Sequence, residues 1–365
     1  MNLFPGRLAL QQRVLPAYRA PFFDLLADSC DRGLSVFAGA PRPVEGITVA
    51  ELLHKASYEV GRNFHFLEPS SRYYFCWQRD LVNWLGSWDP DALVVEANPR
   101  YLSTWLAVRW MHLRDRPVLG WGLGVPRSGN PIERVLWRSF LHSLDGVISY
   151  SQRGADEYSD FGMKNVTVAH NAVAQRPEGV LPTRLLEGID NPVVLFVGRL
   201  QTRKRLDILL RACRDMPPDL QPALVIVGDG PARGEFEELA EQVYPKAVFT
   251  GALHGKDLIP YYENADLFAL PGTGGLAVQD AMAHGLAVIV AQGDGTQDDL
   301  VRPENGWQVI PGDQGAFTSV LREALTDLPR LRKMGTKSFR IVAEEINLEA
   351  MVASFVEALR NTRQP

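Results

Sequence analysis

The chain has 365 residues, 46% of them hydrophobic, enough to bury a large core and long enough to favour two domains over one. Its net charge of −5 excludes a protein that binds nucleic acid through overall charge. Three scattered cysteines, Cys30, Cys76 and Cys213, have neither C-x-x-C spacing nor an even count, which argues against a disulfide framework or a zinc site.

From the N-terminus, MNLFPGRLALQQRV shows no signal-peptide h-region, and no apolar run downstream reaches spanning length. A soluble, cytoplasmic chain is expected, peripheral at most to the inner face of a membrane. Short Val/Ile/Leu-rich runs then alternate with helical patterns, the mark of parallel βαβ sheets. The runs predict strands at 8–11, 34–38, 92–96, 118–121, 146–149 and 166–168. Charge is unevenly spread: residues 1–185 carry a net +2 and the remainder −7. Residues 97–153 hold eight arginines against three acids, together with Trp105, Trp110, Trp121, Trp137 and Phe140. A basic, aromatic surface of this kind suits an anionic membrane or an anionic acceptor. The competing reading puts the tryptophans in the core and the arginines on a solvated face.

The stretch 176–192, rich in proline, reads as a linker. Beyond it the pattern restarts, with strands predicted at 193–197, 223–227, 248–250, 267–270, 286–290 and 308–310. The expected fold is therefore α/β: two doubly wound Rossmann-like domains, 1–175 and 193–345, facing a central cleft. The terminal segment 346–365 is helical, with apolar residues at 348, 351, 352, 355, 356 and 359 that must pack on something, such as the domain junction.

Chemistry concentrates in the second half. VVLFVGRLQTRKRLDILLRAC (193–213) is a buried strand, a turn at Gly198 and a helix, with Arg199, Arg203, Lys204 and Arg205 crowding the turn. Helix N-termini disfavour cations, so their presence there points to an anion held at the strand end. ALVIVGDGPARGEFEELA (223–240) imitates a dinucleotide fingerprint, but the next strand ends VFTG, without the acid that would take a ribose. These glycines read instead as a tight strand-to-helix turn. PGTGGLAVQDAMAHGLAVIVA (271–291) is a bare glycine loop opening a helix, suited to presenting backbone N–H groups to an anion.

Taken with HNAV (170–173), VGRLQTRK, LVIVGDGP and the 248–313 segment, these motifs resemble family 4 of the retaining glycosyltransferases, a two-Rossmann (GT-B) class that uses nucleotide-sugar donors. The resemblance covers the second half and thins in the first. It implies that Arg199 and Lys204 hold the donor diphosphate beside Gly198, and that Gly251 and Leu253 line the nucleobase pocket. It further implies that Gly274, Gly275 and Leu276 present N–H groups to the β-phosphate and sugar, and that Asp280 takes the ribose hydroxyls. Two positions depart from the pattern. Gly272 stands where the family places a glutamate, and Trp121 stands where it places a histidine. The first departure suggests a donor sugar that lacks, or presents differently, the hydroxyl such a glutamate would hold. The resemblance implies transfer with retention, without cofactor or metal, from a UDP- or GDP-sugar to a saccharide or lipid-linked acceptor in surface-polysaccharide, lipopolysaccharide or glycolipid synthesis.

Acceptor contacts are expected from strand ends of the first domain: Tyr18, Arg19, Glu96, Asn98, Arg100 and Trp121. His112, His142 and His254 read as surface or capping residues, and His170 has no assigned role. Two alternatives stand beside this reading: a sugar-nucleotide epimerase on the same scaffold, and a non-catalytic nucleotide-sugar-binding homologue or partner subunit.

Overall fold

The structure, a computed structural model, describes residues 3–68, 71, 73–126, 130–178, 181, 192–274, 276–293 and 295–362. The chain divides into two compact units, residues 1–173 with 348–365, and residues 174–347. Most of the 176–192 linker lies outside the described residues.

In the first unit, strands β1 (Leu8–Val14), β2 (Leu34–Gly39), β3 (Ser57–Phe66), β4 (Phe75–Arg79), β5 (Ala92–Glu96), β6 (Val118–Gly122), β7 (Gly146–Ser149) and β8 (Val166–Val168) form one sheet. Its order is β4-β3-β2-β1-β5-β6-β7-β8, parallel throughout except for the antiparallel edge pair β3/β4. The central strands are buried on both faces, as parallel sheets covered by helices require. Strand β3 and the edge strand β4 beside it are additions to the expected set. Residues 57–66 carry charges and alternate between exposed and half-buried, so they lack the apolar run of a central strand.

Helices α1 (Ala20–Asp28), α2 (Leu81–Trp88), α3 (Leu102–His112), α4 (Pro131–Leu141) and α5 (Gln152–Asp160) cover this sheet. On one face α1 is joined by the C-terminal helix Leu348–Asn361, whose apolar stripe at 348, 351, 352, 355, 356 and 359 is wholly buried. The Phe355 ring lies 5.0 Å from both Phe22 and Trp121. Emptying such a site leaves a cavity in close-packed surroundings. Phe355→Ala is expected to destabilise the first unit by about 3–5 kcal/mol, measured by chemical denaturation.

The second unit holds β9 (Val193–Val197), β10 (Ala223–Val227), β11 (Val248–Gly251), β12 (Leu267–Leu270), β13 (Ala287–Ala291) and β14 (Gly306–Val309). They form an all-parallel sheet ordered β11-β10-β9-β12-β13-β14. Around it run α6 (Leu206–Arg214), α7 (Arg233–Val243), α8 (Ile259–Asn264), α9 (Leu276–Ala283), α10 (Thr296–Leu300), α11 (Gln314–Thr326) and α12 (Leu328–Arg340). The strand order reverses between β9 and β12. Doubly wound sheets bind their ligands at such a switch point, beyond the carboxyl ends of the strands.

Candidate functional site

Two loops meet at the β9/β12 switch point. The first, Gly198–Arg205, leaves β9 and tightens into a short 3₁₀ turn at Thr202–Lys204 before α6. The second, Pro271–Gly274, leaves β12 and enters α9. They are joined by main-chain and side-chain hydrogen bonds. Thr273 N donates to Arg203 O at 3.2 Å, and Arg203 Nη1 donates to Thr273 Oγ1 at 3.3 Å.

Gly272 sits where the backbones touch. A Cβ there would run into the Arg203 carbonyl oxygen and the Lys204 Cα. Gly274, with φ at +129°, gives its side-chain space to Lys204, whose Nζ occupies the place a Cβ would take. The bare loop is therefore bare for two reasons. One glycine admits a backbone and the other admits an ammonium group.

Lys204 is half-buried, and among the described residues no carboxylate pairs with it. Burial, with a smaller contribution from Arg203, pushes its amine down to about 8. A desolvated cation held over a glycine loop is poised for an anion. Arg199 lies exposed just past β9. Arg205 is committed elsewhere, in a bidentate pair with Asp207 at 3.0 Å for both bonds.

Asp280 stands one turn inside α9. Burial raises its carboxyl to about 6, against a smaller lowering from His284. The His284 Nδ1 is 2.8 Å from the Asp280 carbonyl oxygen, and its ring stacks on Tyr262 at 4.9 Å. Gly251 is left-handed at φ +82°, and Leu253 is half-buried against the core. Leu276 begins α9, while Gly275 lies outside the described residues.

Gly228 and Gly230 serve packing between strand-end loops. Gly198 N donates to Val227 O, Leu200 N to Asp229 O and Ala232 N to Leu200 O. A Cβ on either glycine would strike the 198–200 backbone.

One residue escapes motif reading. Gln297, buried at the start of α10, donates through Nε2 to the Gly274 carbonyl at 3.1 Å and so fixes the glycine loop from beneath. The available signal is its place just past the end of β13, on the same edge of the sheet. Among the described residues no group of three His, Cys, Asp or Glu side chains is arranged to hold a metal ion.

The first unit gathers its own cluster at the ends of β1, β5, β6 and β7. The Arg19 guanidinium, 5% exposed as a residue, lies 5.4 Å from the Tyr18 ring, 5.1 Å from Trp121 and 5.4 Å from Tyr150. It also donates to Asn171 Oδ1 at 2.5 Å. Trp121 is 1% exposed and enclosed by Phe22, Phe23, Tyr150 and Phe355, so its ring offers no surface to a ligand in this arrangement. Tyr18 is exposed.

Glu96 accepts from Arg13 N at 3.0 Å, and burial raises its carboxyl although Arg13 and the Tyr101 hydroxyl stabilise the charge. Asn98 Oδ1 accepts from Arg100 N at 3.1 Å, and the Arg100 carbonyl accepts from Cys76 N at 3.0 Å. Beneath them lies an amide network. Gln11 pairs with Gln78, Gln11 Oε1 accepts from Glu96 N at 3.1 Å, and Gln78 Nε2 donates to Asn63 Oδ1 at 3.1 Å.

Two Rossmann-like α/β units of this kind define the GT-B class of structure. HepE from Anabaena, solved in complex with UDP, aligns over 97% of this chain and 99% of its own, with a TM-score of 0.72 and 17% identity. Sucrose-phosphate synthase from Thermosynechococcus elongatus aligns over 97% and 98%, with a TM-score of 0.70 and 20% identity. These likenesses establish the fold. Residues 191–327 match the family described as "Glycosyl transferases group 1", so the second unit carries the sequence signature of that group. A GDP-mannose-dependent α-mannosyltransferase of Mycolicibacterium smegmatis is 41% identical over 141 residues, 38% of this chain and 34% of its own length. The alpha-monoglucosyldiacylglycerol synthase of Streptococcus pneumoniae is 27% identical over 247 residues, 60% of this chain and 56% of its own. The chain thus spans about a third to a little over half the length of these curated relatives.

Proposed function

We propose that this protein is a glycosyltransferase that moves a sugar, with retention of configuration and without a metal ion, from a UDP- or GDP-sugar to a saccharide or lipid-linked acceptor. The observation that carries the reading is Lys204, a half-buried ammonium without a carboxylate partner among the described residues, set over Gly274 at the switch point of a parallel sheet. Support also comes from relatives named for GDP-mannose and from HepE structures with UDP and UDP-glucose.

In this reading Lys204 and Arg199 neutralise the diphosphate as negative charge grows on it during departure, the term that usually dominates such catalysis. Backbone N–H groups at the start of α9 complete the anion site, and Asp280 accepts from the ribose hydroxyls. Tyr18, Glu96, Asn98 and Arg100 supply the acceptor side. Buried Arg19 and Trp121 shape that side from behind.

Calorimetry with UDP and GDP, followed by nucleotide-sugar hydrolysis and transfer assays in EDTA, tests the proposal. Nucleotide binding and metal-independent donor breakdown are expected. Binding without breakdown or transfer would favour a non-catalytic binder.

The pH profile is a second check. Donor binding needs Lys204 protonated and Asp280 ionised, so affinity for a nucleotide-sugar of constant diphosphate charge should peak near pH 7. It should fall above the lysine's value of about 8 and below the aspartate's value of about 6. Asp280→Asn is expected to remove the acid limb while leaving the alkaline one.

A further inference from the structure

Asp280 is half-buried on α9, and among the described residues no donor reaches its carboxylate oxygens. Its main-chain carbonyl is better served, because His284, one turn on, approaches it with Nδ1 at 2.8 Å. A carbonyl only accepts, so Nδ1 carries the hydrogen. The imidazole lies against Tyr262 of α8, the ring centres 4.9 Å apart and the planes inclined by 16°. Tyr262 is 2% exposed, and its hydroxyl has no hydrogen-bond partner among the described residues. Burial, and after it the negative charge of Asp280, hold the phenolic proton in place.

A buried hydroxyl without an acceptor costs free energy, as does a carboxylate taken from water without a donor. Here the two lie within electrostatic reach of each other, one a donor lacking an acceptor and the other an acceptor lacking a donor. Other charges do not compete for the pair. Among the described residues His284 is the charge that draws Asp280 towards ionisation, while Lys204 is governed by burial and Arg203. The stack and the surrounding core fix the Tyr262 ring, so closing the gap falls to the short Asp280 side chain.

We infer that Tyr262 positions Asp280 for the donor ribose: with a nucleotide sugar bound, the Tyr262 hydroxyl donates to one carboxylate oxygen and leaves the other to the ribose hydroxyls. The inference rests on the reading of Asp280 as the ribose contact. A hydrogen bond to an ion is about twice as strong as a neutral one, so this one adds most to binding where Asp280 is ionised. In the free chain the unpaired hydroxyl works against stability, and donor binding relieves it.

The test is calorimetry of the full chain with UDP-glucose and with GDP-mannose, whose diphosphates keep a constant charge, from mildly acidic to mildly alkaline pH. Tyr262→Phe keeps the ring and its stack and removes only the hydroxyl. It should bind the tighter of the two ligands at least about tenfold more weakly near neutral pH. The deficit should narrow as Asp280 protonates below its value of about 6, because a neutral carboxyl accepts a weaker bond. With its unpartnered hydroxyl gone, the variant should melt at the parent's temperature or above it. On an Asp280→Ala background the same change should leave binding unaltered. Parent-like binding by Tyr262→Phe would overturn the inference and leave the donor reading standing. So would a deficit equal at every pH, or a clearly lower melting temperature, either of which makes Tyr262 a packing residue. A parent that binds neither nucleotide sugar would overturn the donor reading and this inference together.

Discussion

Lys204→Ala is expected to lower kcat by at least about 10²–10³-fold while leaving the folded chain as stable as the parent or more stable. Both halves of that result come from one feature. The amine sits at about 8, below its usual 10.5, because burial disfavours its charge. Between those values the folded chain binds fewer protons than the unfolded chain, so stability rises as pH rises across that window. At neutral pH the protonated lysine therefore works against the fold, and truncating it relieves the strain. Steady-state kinetics and a thermal melt on the same preparation measure the two effects. Turnover close to the parent's would remove Lys204 from the mechanism. This is the stability–function conflict expected where a charge is held ready for a ligand.

Gly272→Glu is expected to abolish most activity, although the resemblance places a glutamate at this position. Restoring a carboxylate looks like restoring a sugar contact. The structure says otherwise. Any Cβ at 272 collides with main-chain atoms of Arg203 and Lys204, which cannot swing aside as a side-chain tip can. Overpacking of this kind costs about 1–3 kcal/mol. It would also separate the two loops by breaking the Thr273 N to Arg203 O bond. Lys204 would move with its backbone, and displacement by an ångström costs on the order of 10²-fold in rate. Gly272→Ala should show much of the same loss, which separates the steric effect from the carboxylate. A gain in turnover for Gly272→Glu would show that the loops can part without harm.

These two positions show how far the sequence can be read. Val193–Val197 and Leu267–Leu270 stand out because strands covered on both faces must be continuous apolar runs. Lys204 is conspicuous because a cation at a helix start runs against the macrodipole. Gly272 is visible as a substitution, but its physical reason lies about seventy residues away, in the Arg203–Lys204 backbone. Gln297 is invisible for the same reason, since its partner is the Gly274 carbonyl and a main-chain contact leaves no trace in side-chain identity. Ser57–Phe66 hides because a strand left exposed or half-buried along its whole length needs no apolar run. Gln11 and Gln78 look like surface residues until the fold buries them against each other. The stripe on Leu348–Asn361 is plain from spacing alone, yet only tertiary structure shows that it closes over Phe22 and Trp121.

That last helix has a consequence for how the molecule is made. Domains generally fold as they leave the ribosome, N-terminal part first. Here residues 174–347 form a contiguous unit that can close as soon as it emerges, whereas the unit begun earlier lacks part of its hydrophobic interior until residues 348–361 arrive. The nascent chain therefore carries Phe22, Phe23 and Trp121 under an open face throughout synthesis of the second unit. Its order of completion is the reverse of its order of translation.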